Sequence, residues 1–426
     1  MTRYVILGAS AAGLAALEAI RERDPDGEVV LVSKEGEPCY SRVALPYLLS
    51  GEKNLAQITL YGQDYFRTKR VETIWGVGAT ALDRQRKEVR LEDGSTLGYD
   101  KLLIATGSRP RVPPIQGIQE ADVCYHWTLA DARKIEERAQ RATDCFVIGA
   151  GFISLLTITA LMKRVPLRYT VVEIAEQVMP QLLDQRGAHI LEEEMRRQGI
   201  DLLLGDSVAA MERGKDGRYA VQLRSGKTYT ADMVICGTGV EPNIGFLMGS
   251  GLDLGLGVRT NQRQETNLPD VYAAGDCAET RDLQTGQPAV HAIWPTAVDQ
   301  GKVAGANMAG DSLTYPGSLS WNVTELFGLT CASVGQFREG PGTEPIIFHD
   351  PIANIYRKIL VDHKGQVAGV VLVGRAQDAQ ELGILQAMIR RGTDISRWKE
   401  HLARERTTLG HVGLEALKAQ LARRQA

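Results

Sequence analysis

"YVILGASAAGLAALEAI" (residues 4–20) and "CFVIGAGFISLLTITAL" (residues 145–161) follow one plan. Each is a short apolar strand, a glycine-bearing turn and an apolar helix. Each then leads to a second apolar strand closed by polar residues, "EVVLVSKE" and "RYTVVEIAE". Strands apolar on both faces suit a parallel sheet covered by helices on each side. A glycine turn that opens a helix leaves backbone N–H groups and the positive end of the helix dipole facing outward, where a pyrophosphate can sit. The first copy reads Gly8-x-Ser10-x-x-Gly13 and the second Gly149-x-Gly151-x-x-Ser154, so each lacks one glycine of the dinucleotide-binding pattern. Repetition in the same strand–turn–helix context gives the pattern its weight.

Two details refine this reading. Gly8-Ala9-Ser10-Ala11-Ala12 comes close to the G-x-S-x-G nucleophile elbow, but here the serine follows the first strand, which argues against a hydrolase. In the second copy Glu173 falls 24 residues after Gly149, the place of a carboxylate that accepts ribose hydroxyls. No arginine follows it to meet a 2′-phosphate, so NAD is favoured over NADP. In the first copy Ser33, Lys34 and Glu35 occupy that place. Glu35 on a ribose and Glu35 in a solvated turn stand as alternatives.

Composition sets the outer limits. At 426 residues the chain suggests roughly two to four domains. A net charge of −3 provides no basic field, which argues against nucleic acid as a partner. No apolar run approaches the ~18 residues of a membrane span, and the first ten residues, "MTRYVILGAS", read as a strand and turn rather than a signal peptide. The six cysteines (39, 124, 145, 236, 277 and 331) form no C-x-x-C pair, which fits a reducing cytoplasm and argues against a disulfide framework. The histidines are equally scattered, and no metal site is expected.

Between the two units runs a hairpin, "KEVRLEDGSTLGYD", turning at Asp93-Gly94, then "YDKLLIATGSRPRVPP" (99–114). After the second unit come a further hairpin, "GKDGRYAVQLRSG", and "KTYTADMVICGTGVEPN" (227–243). Both long stretches are buried strands that end in Thr-Gly and then proline, as a chain does when it passes between domains. "LPDVYAAGDCAE" (268–279) places Asp276 just past a strand end, after Gly275.

With the paired glycine turns, "ATGSRP" (105–110), "GTGVEPN" (237–243), "VYAAGD" (271–276) and "WPTAVDQGKVAGANMAG" (294–310), the sequence resembles the pyridine nucleotide–disulfide oxidoreductase superfamily. It is most similar to the branch of rubredoxin reductases, NADH oxidases and nitrite reductase flavin domains. The likeness covers most of residues 1–310 and continues more weakly to about 375. It implies an α/β fold with two Rossmann-like domains, for FAD and for NAD, and a smaller α/β C-terminal domain. The implied bounds are 1–112 with 241–315 for FAD, 113–240 for NAD, and 316–426 for a C-terminal interface domain with a helical tail. FAD would be held by Gly8, Ser10, Gly13, Glu35, Arg42, Thr106, Gly107, Gly275, Asp276, Trp294, Thr296 and Ala297. NAD would be held by Gly149, Gly151, Phe152, Ile153, Glu173 and Gly239. The helix from about Pro295 would aim its N-terminus at the flavin. No side chain is expected to be catalytic beyond the flavin, with Tyr47 as a neighbour of the nicotinamide or flavin.

The sequence departs from the superfamily in "EPCYSRVALPYLL" (37–49). Disulfide reductases of this kind have a C-x-x-x-x-C pair here, and NADH oxidases and coenzyme A disulfide reductases have one cysteine before a Gly-Leu-Pro-Tyr run. In this chain that single place falls on Val43, and Cys39, four residues earlier, is read as silent. A lysine and a glutamate that pair near the flavin in some ferredoxin-reductase-like members fall on Tyr47 and Leu156. The resemblance then implies a cytoplasmic FAD enzyme that exchanges electrons between NAD(H) and an iron–sulfur protein or subunit. It extends to the NAD-linking flavoprotein subunits of phenylglyoxylate-type 2-oxoacid dehydrogenases. Alternatives are an NADH oxidase using oxygen and a flavin-dependent binding or scaffold protein. A homodimer and a hetero-oligomer both stay open. The stretch 394–426 reads as helical, with Leu414, Leu417 and Leu421 on one face, docked on its own body or on a partner.

Overall fold

The computed structural model describes residues 1–36, 39–404, 411–416 and 418–419. In chain order the first repeat gives β1 (Arg3–Leu7), α1 (Ala11–Arg23) and β2 (Glu28–Ser33), followed by β3 (Val71–Trp75) and β4 (Lys101–Ile104). The second gives β5 (Asp144–Ile148), α2 (Phe152–Met162), β6 (Arg168–Glu173), α3 (Gln185–Arg197), β7 (Asp201–Leu204) and β8 (Met233–Cys236). The chain continues with β9 (Val271–Ala273), α4 (Trp294–Met308) and five strands, β10 (Trp321–Leu326), β11 (Leu329–Gly335), β12 (Thr343–Asp350), β13 (Ile355–Asp362) and β14 (Val367–Gly374).

Two compact units result. One comprises 1–111, 127–132 and 240–319, the other 112–126, 133–239 and 320–426. The first unit is built on a parallel sheet in the order β9-β4-β1-β2-β3. Its strands are buried on both faces, as their unbroken apolar runs require: Tyr4, Ile6, Leu31 and Leu103 pack with α1 and α4, while Val5, Val30, Leu102 and Ile104 face the hairpin side.

Helices α1 and α4 lie against each other more closely than ordinary side chains permit. A Cβ added at Gly301 would stand 2.2 Å from Ala12 O, and one at Gly305 2.3 Å from Ala16 O. The pairs advance in the same direction along both helices, so the two run parallel. Because α4 starts well before Gly301 and α1 just before Ala12, the α4 N-terminus extends beyond that of α1 by roughly six residues, or ~9 Å at ~1.5 Å per residue. Both N-termini therefore open at the carboxyl edge of the sheet.

The second unit repeats the plan with a four-stranded parallel sheet, β7-β6-β5-β8. Cys124 bridges Ile235 in parallel and so continues the sheet past β8. An antiparallel three-stranded sheet (208–213, 219–223, 228–231) lies in the same unit, as does the five-stranded antiparallel sheet β10-β11-β14-β13-β12. A buried polar knot ties this last sheet to α3. Asp184 caps α3 by accepting from Gly187 N (3.0 Å), accepts from Tyr356 OH (2.7 Å) and pairs with Lys358 Nζ at 2.5 Å. Breaking such a pair strands a charge in a low-dielectric interior. In the helical turn at 411–416 the buried residues are Val412 and Ala416, whereas Leu414 is half exposed. Leu417 and Leu421 lie outside the described residues.

Gly305→Val tests the α1–α4 contact. The added branch overpacks a backbone-to-backbone approach, so a loss of about 2 kcal/mol in denaturant unfolding is expected, against little change for the exposed Lys302→Val.

Candidate functional site

The two glycine turns come first. Gly8 N donates to Val32 O (2.8 Å) and Gly149 N to Val172 O (2.8 Å), so each turn is hung on the strand beside it. Ser10 is the N-cap of α1 and Gly151 that of α2. Neither cap makes a side-chain hydrogen bond, and neither helix has an acidic residue in its first turn. The first intrahelical amides are Leu14 N, bonded to Ser10 O, and Leu155 N, bonded to Gly151 O. The amides ahead of them are left for an outside acceptor, with the dipole favouring an anion. Each turn thus fits a diphosphate. Phe152 and Ile153 lie in the first turn of α2, partly buried.

The two copies solve the helix–strand approach differently. In the first, a Cβ at Gly13 would stand 1.8 Å from Gly8 O. In the second, Ser154 keeps its side chain, and the missing one is on Gly237, where a Cβ would stand 2.1 Å from Ser154 Oγ. Glu173 ends β6 and is buried. One oxygen accepts from Ala150 N in the turn (2.7 Å) and the other from Ala175 N (3.0 Å). A carboxylate offers about four lone-pair sites, so capacity for ribose hydroxyls remains.

In the first unit three of the expected residues, Glu35, Arg42 and Asp276, meet in one polar network. Arg42 donates to the Glu35 carboxylate and to Trp127 O. Tyr40 OH donates to Glu35 and accepts from Leu129 N (2.9 Å). The Trp127 indole N–H donates to Ser108 O (2.7 Å), and Ser108 Oγ donates to Asp276 Oδ2 (2.7 Å). Burial pushes the Asp276 carboxyl up, opposed by the Ser108 hydrogen bond and the Arg42 charge. Thr106 Oγ1 donates to Asn243 O (2.8 Å), and Asn243 returns bonds to Thr106 O and Gly107 O. "ATGSRP" and "GTGVEPN" are in fact partners: 108–110 pairs antiparallel with 240–242, Arg109 facing Glu241 at 2.8 Å. Gly239, left-handed at φ 99°, immediately precedes that strand.

Gly275, also left-handed, lies between the helices. An added Cβ would stand 3.1 Å from Ala12 Cβ and 3.5 Å from Ala297 Cβ, and its amide donates to Gln300 Oε1 (2.7 Å). Thr296 and Ala297 are buried in the first turn of α4, and Trp294 packs on the core. Ahead of α4, His291 Nε2 lies 2.9 Å from Asp282 Oδ2. Asp282 Oδ1 accepts from Thr285 N, Thr285 Oγ1 and Gln284 N. Tyr40, Ser108, Trp127, Asn243, Asp282, His291 and Gln300 were missed by the sequence reading. Only the polar character of Trp127-Thr128 and His291, set between apolar runs, could have hinted at them.

The departures have clear positions. Val43 is 58 % exposed and Tyr47 49 % exposed on the helical turns of 42–49, with Lys53 Nζ 5.9 Å from the Tyr47 ring centre. Leu156 is partly buried. Cys39 is buried in the α1–α4 core, where desolvation pushes its thiol up to about 12. All six cysteines are free and buried, and burial raises every one of them. Among the described residues no helix is long and apolar enough to cross a membrane.

Two parallel sheets, each opening an uncapped helix at its carboxyl edge, define a protein of the two-nucleotide flavoprotein class. Residues 2–301 match the family named Pyridine nucleotide-disulphide oxidoreductase, and the chain belongs to it. It is an NAD(P)H-dependent flavoprotein oxidoreductase whose cofactors are FAD and NAD(H). The NADH-dependent phenylglyoxylate dehydrogenase subunit epsilon of Aromatoleum evansii is 33% identical over 399 residues, 93% of each chain. An NADH oxidase of Methanocaldococcus jannaschii is 31% identical over 91% of each. Among solved structures, an NAD-dependent persulfide reductase from A. fulgidus superposes with a TM-score of 0.84 at 30% identity, covering 93% of this chain and 78% of that one.

The Asp282–His291 pair predicts a pH effect. Burial alone would raise the Asp282 carboxyl, but the bonds from His291 and Thr285 prevail and bring it from 3.8 to about 2. A depressed carboxyl stabilises the fold above its unfolded pKa and loses that contribution as pH falls through the folded one. Urea unfolding should therefore show Asp282→Asn less stable than the parent at pH 6, with the gap narrowing below pH 3.8 and closing near pH 2.

Proposed function

We propose that this chain passes electrons between NAD(H) and an iron–sulfur protein or subunit by way of FAD, with no cysteine in the route. FAD supplies the exchange between a two-electron hydride and single electrons. Gly8, Ser10 and Gly13 hold its diphosphate at the α1 N-terminus. Asp276, set by Ser108, accepts from a flavin-side hydroxyl. The Arg42–Glu35 pair, Thr106, Gly107 and Gly275 shape the same edge, and Trp294, Thr296 and Ala297 carry the α4 N-terminus towards the ring. Gly149, Gly151, Phe152, Ile153, Glu173 and Gly239 hold NAD, with Glu173 on the adenosine ribose. With no cation after Glu173 to neutralise a 2′-phosphate, NAD is preferred over NADP.

The observation that carries this reading is the state of the thiols. A relay needs an accessible thiolate. Here Cys39 is buried with its thiol raised to about 12, and the place of the single cysteine is taken by the exposed side chain of Val43. Electrons then leave by the flavin edge to an external carrier. The name of the A. evansii relative, a subunit of an NADH-dependent dehydrogenase, supports a place in a larger assembly. Buried free thiols suit a reducing cytoplasm. A second reading, oxygen as acceptor, is favoured by the name of the M. jannaschii relative.

Anaerobic NADH is expected to bleach the yellow protein, and ferredoxin or rubredoxin to restore the colour within seconds. Restoration by oxygen at the same rate supports the oxidase instead, and rapid restoration by a disulfide refutes the thiol-free route. Cys39→Ser should leave NADH-to-carrier turnover within about twofold, because only a packing contact is altered; a loss comparable to one catalytic group, ~10²-fold, overturns the reading.

A further inference from the structure

The antiparallel sheet β10-β11-β14-β13-β12 and helix α3 line a cavity of about 520 Å³, a volume that suits a small organic molecule. The register of the edge pair sets its floor. Ile347 on β12 stands opposite Lys358 on β13, and Pro345 and Tyr356 each lie two residues along, so the four side chains rise from one face. The first turn of α3 supplies the facing wall. None of the residues assigned above to FAD or NAD lines this space.

Its polar groups are out of balance. The Lys358 side chain is 3% exposed, and its ammonium has three N–H donors. Asp184 Oδ2 meets one at 2.5 Å, whereas Glu339 Oε1, at 3.7 Å, is beyond hydrogen-bond reach. Among the described residues no further acceptor meets this buried cation. Asp184 has little left to give, because it already accepts from Gly187 N and Tyr356 OH as well. Arg186 is exposed on the same lining and has no hydrogen bond or ion pair among the described residues. Arg338, held by its bond to Pro180 O (2.7 Å), adds a third cation. The bonds of α3 begin at Gly187 N and Ala188 N, so the amides of Gln185 and Arg186 lie ahead of them at the positive end of the helix.

Donors therefore exceed acceptors here, and the excess suits an oxyanion. Three cations, Lys358, Arg186 and Arg338, stand against two carboxylates, Asp184 and Glu339, which leaves a charge of +1. A single negative charge balances that lining, and a phosphate dianion overshoots it. Leu183, Pro345, Ile347 and the Tyr356 ring provide apolar wall for the rest of the molecule. We propose that this cavity binds a small organic monocarboxylate, its carboxylate taken by the spare Lys358 donors and Arg186, and its apolar body by Leu183, Pro345 and Ile347.

Calorimetry on the FAD-loaded protein tests this with benzoate, its uncharged counterpart benzamide, and phenyl phosphate, each with and without saturating NAD⁺. Benzoate should bind with a Kd of roughly millimolar or tighter, and the other two at least roughly tenfold more weakly. Arg186→Gln, a change at an exposed position, should weaken benzoate by roughly tenfold, the loss of one charge-assisted hydrogen bond, with NAD⁺ affinity unchanged. Lys358→Met should abolish benzoate binding; if stranding the Asp184 charge prevents folding, Arg186→Gln carries the test. A parent protein that binds no benzoate, binds benzamide equally or prefers phenyl phosphate overturns the proposal, as does an unaltered affinity in Arg186→Gln. Benzoate displaced by NAD⁺ overturns it too, because the cavity then belongs to the dinucleotide site. Binding is expected with or without NAD⁺, so failure of the NAD reading is seen separately, in the NAD⁺ titration.

Discussion

The backbone of α1 can touch the backbone of α4 because Gly301 and Gly305 present no side chain to Ala12 and Ala16. Small residues bury little apolar area, so the contact stabilises less through desolvation than through close dispersion over a long seam. What it fixes is geometry. Two parallel helices bring their positive ends to one edge of one sheet, and like dipole ends repel. An anion placed there relieves both. The same contact leaves room for Gly275 between Ala12 and Ala297, and so determines where Asp276 emerges.

Around that edge the first unit is held by a chain of polar groups in which each member sets the next: Glu35, Arg42, Trp127, Ser108 and Asp276. The second unit has the simpler arrangement, one buried carboxylate holding the turn amide of Ala150. The halves share a plan but not its details. In one the glycine lies on the helix; in the other it has moved to the facing strand end, leaving Ser154 its hydroxyl.

Burial decides the chemistry available to the sulfur atoms. A buried thiol cannot shed its proton without placing a charge in a low-dielectric medium, and all six cysteines are buried. The chain belongs to a family named for disulphide chemistry, and burial holds each of its six thiols above the ordinary thiol range. On the helical turns that follow Cys39, Val43 and Tyr47 are about half exposed.

The sequence alone determined the two parallel sheets, because runs such as "YVIL" and "CFVI" are apolar at every position and only a doubly covered parallel strand buries both faces. It determined the turns and Glu173 as well, because glycine spacing and the carboxylate's place are local properties of one strand–turn–helix unit. It did not determine that "ATGSRP" and "GTGVEPN" pair with each other, since their 130-residue separation leaves no periodic signal. Nor did it show the Trp127 indole on Ser108, or the glycine exchange between Ser154 and Gly237. Each of these depends on which groups meet after the chain has closed on itself, and hydrogen-bond partners and steric clearance are set by that meeting rather than by residue type.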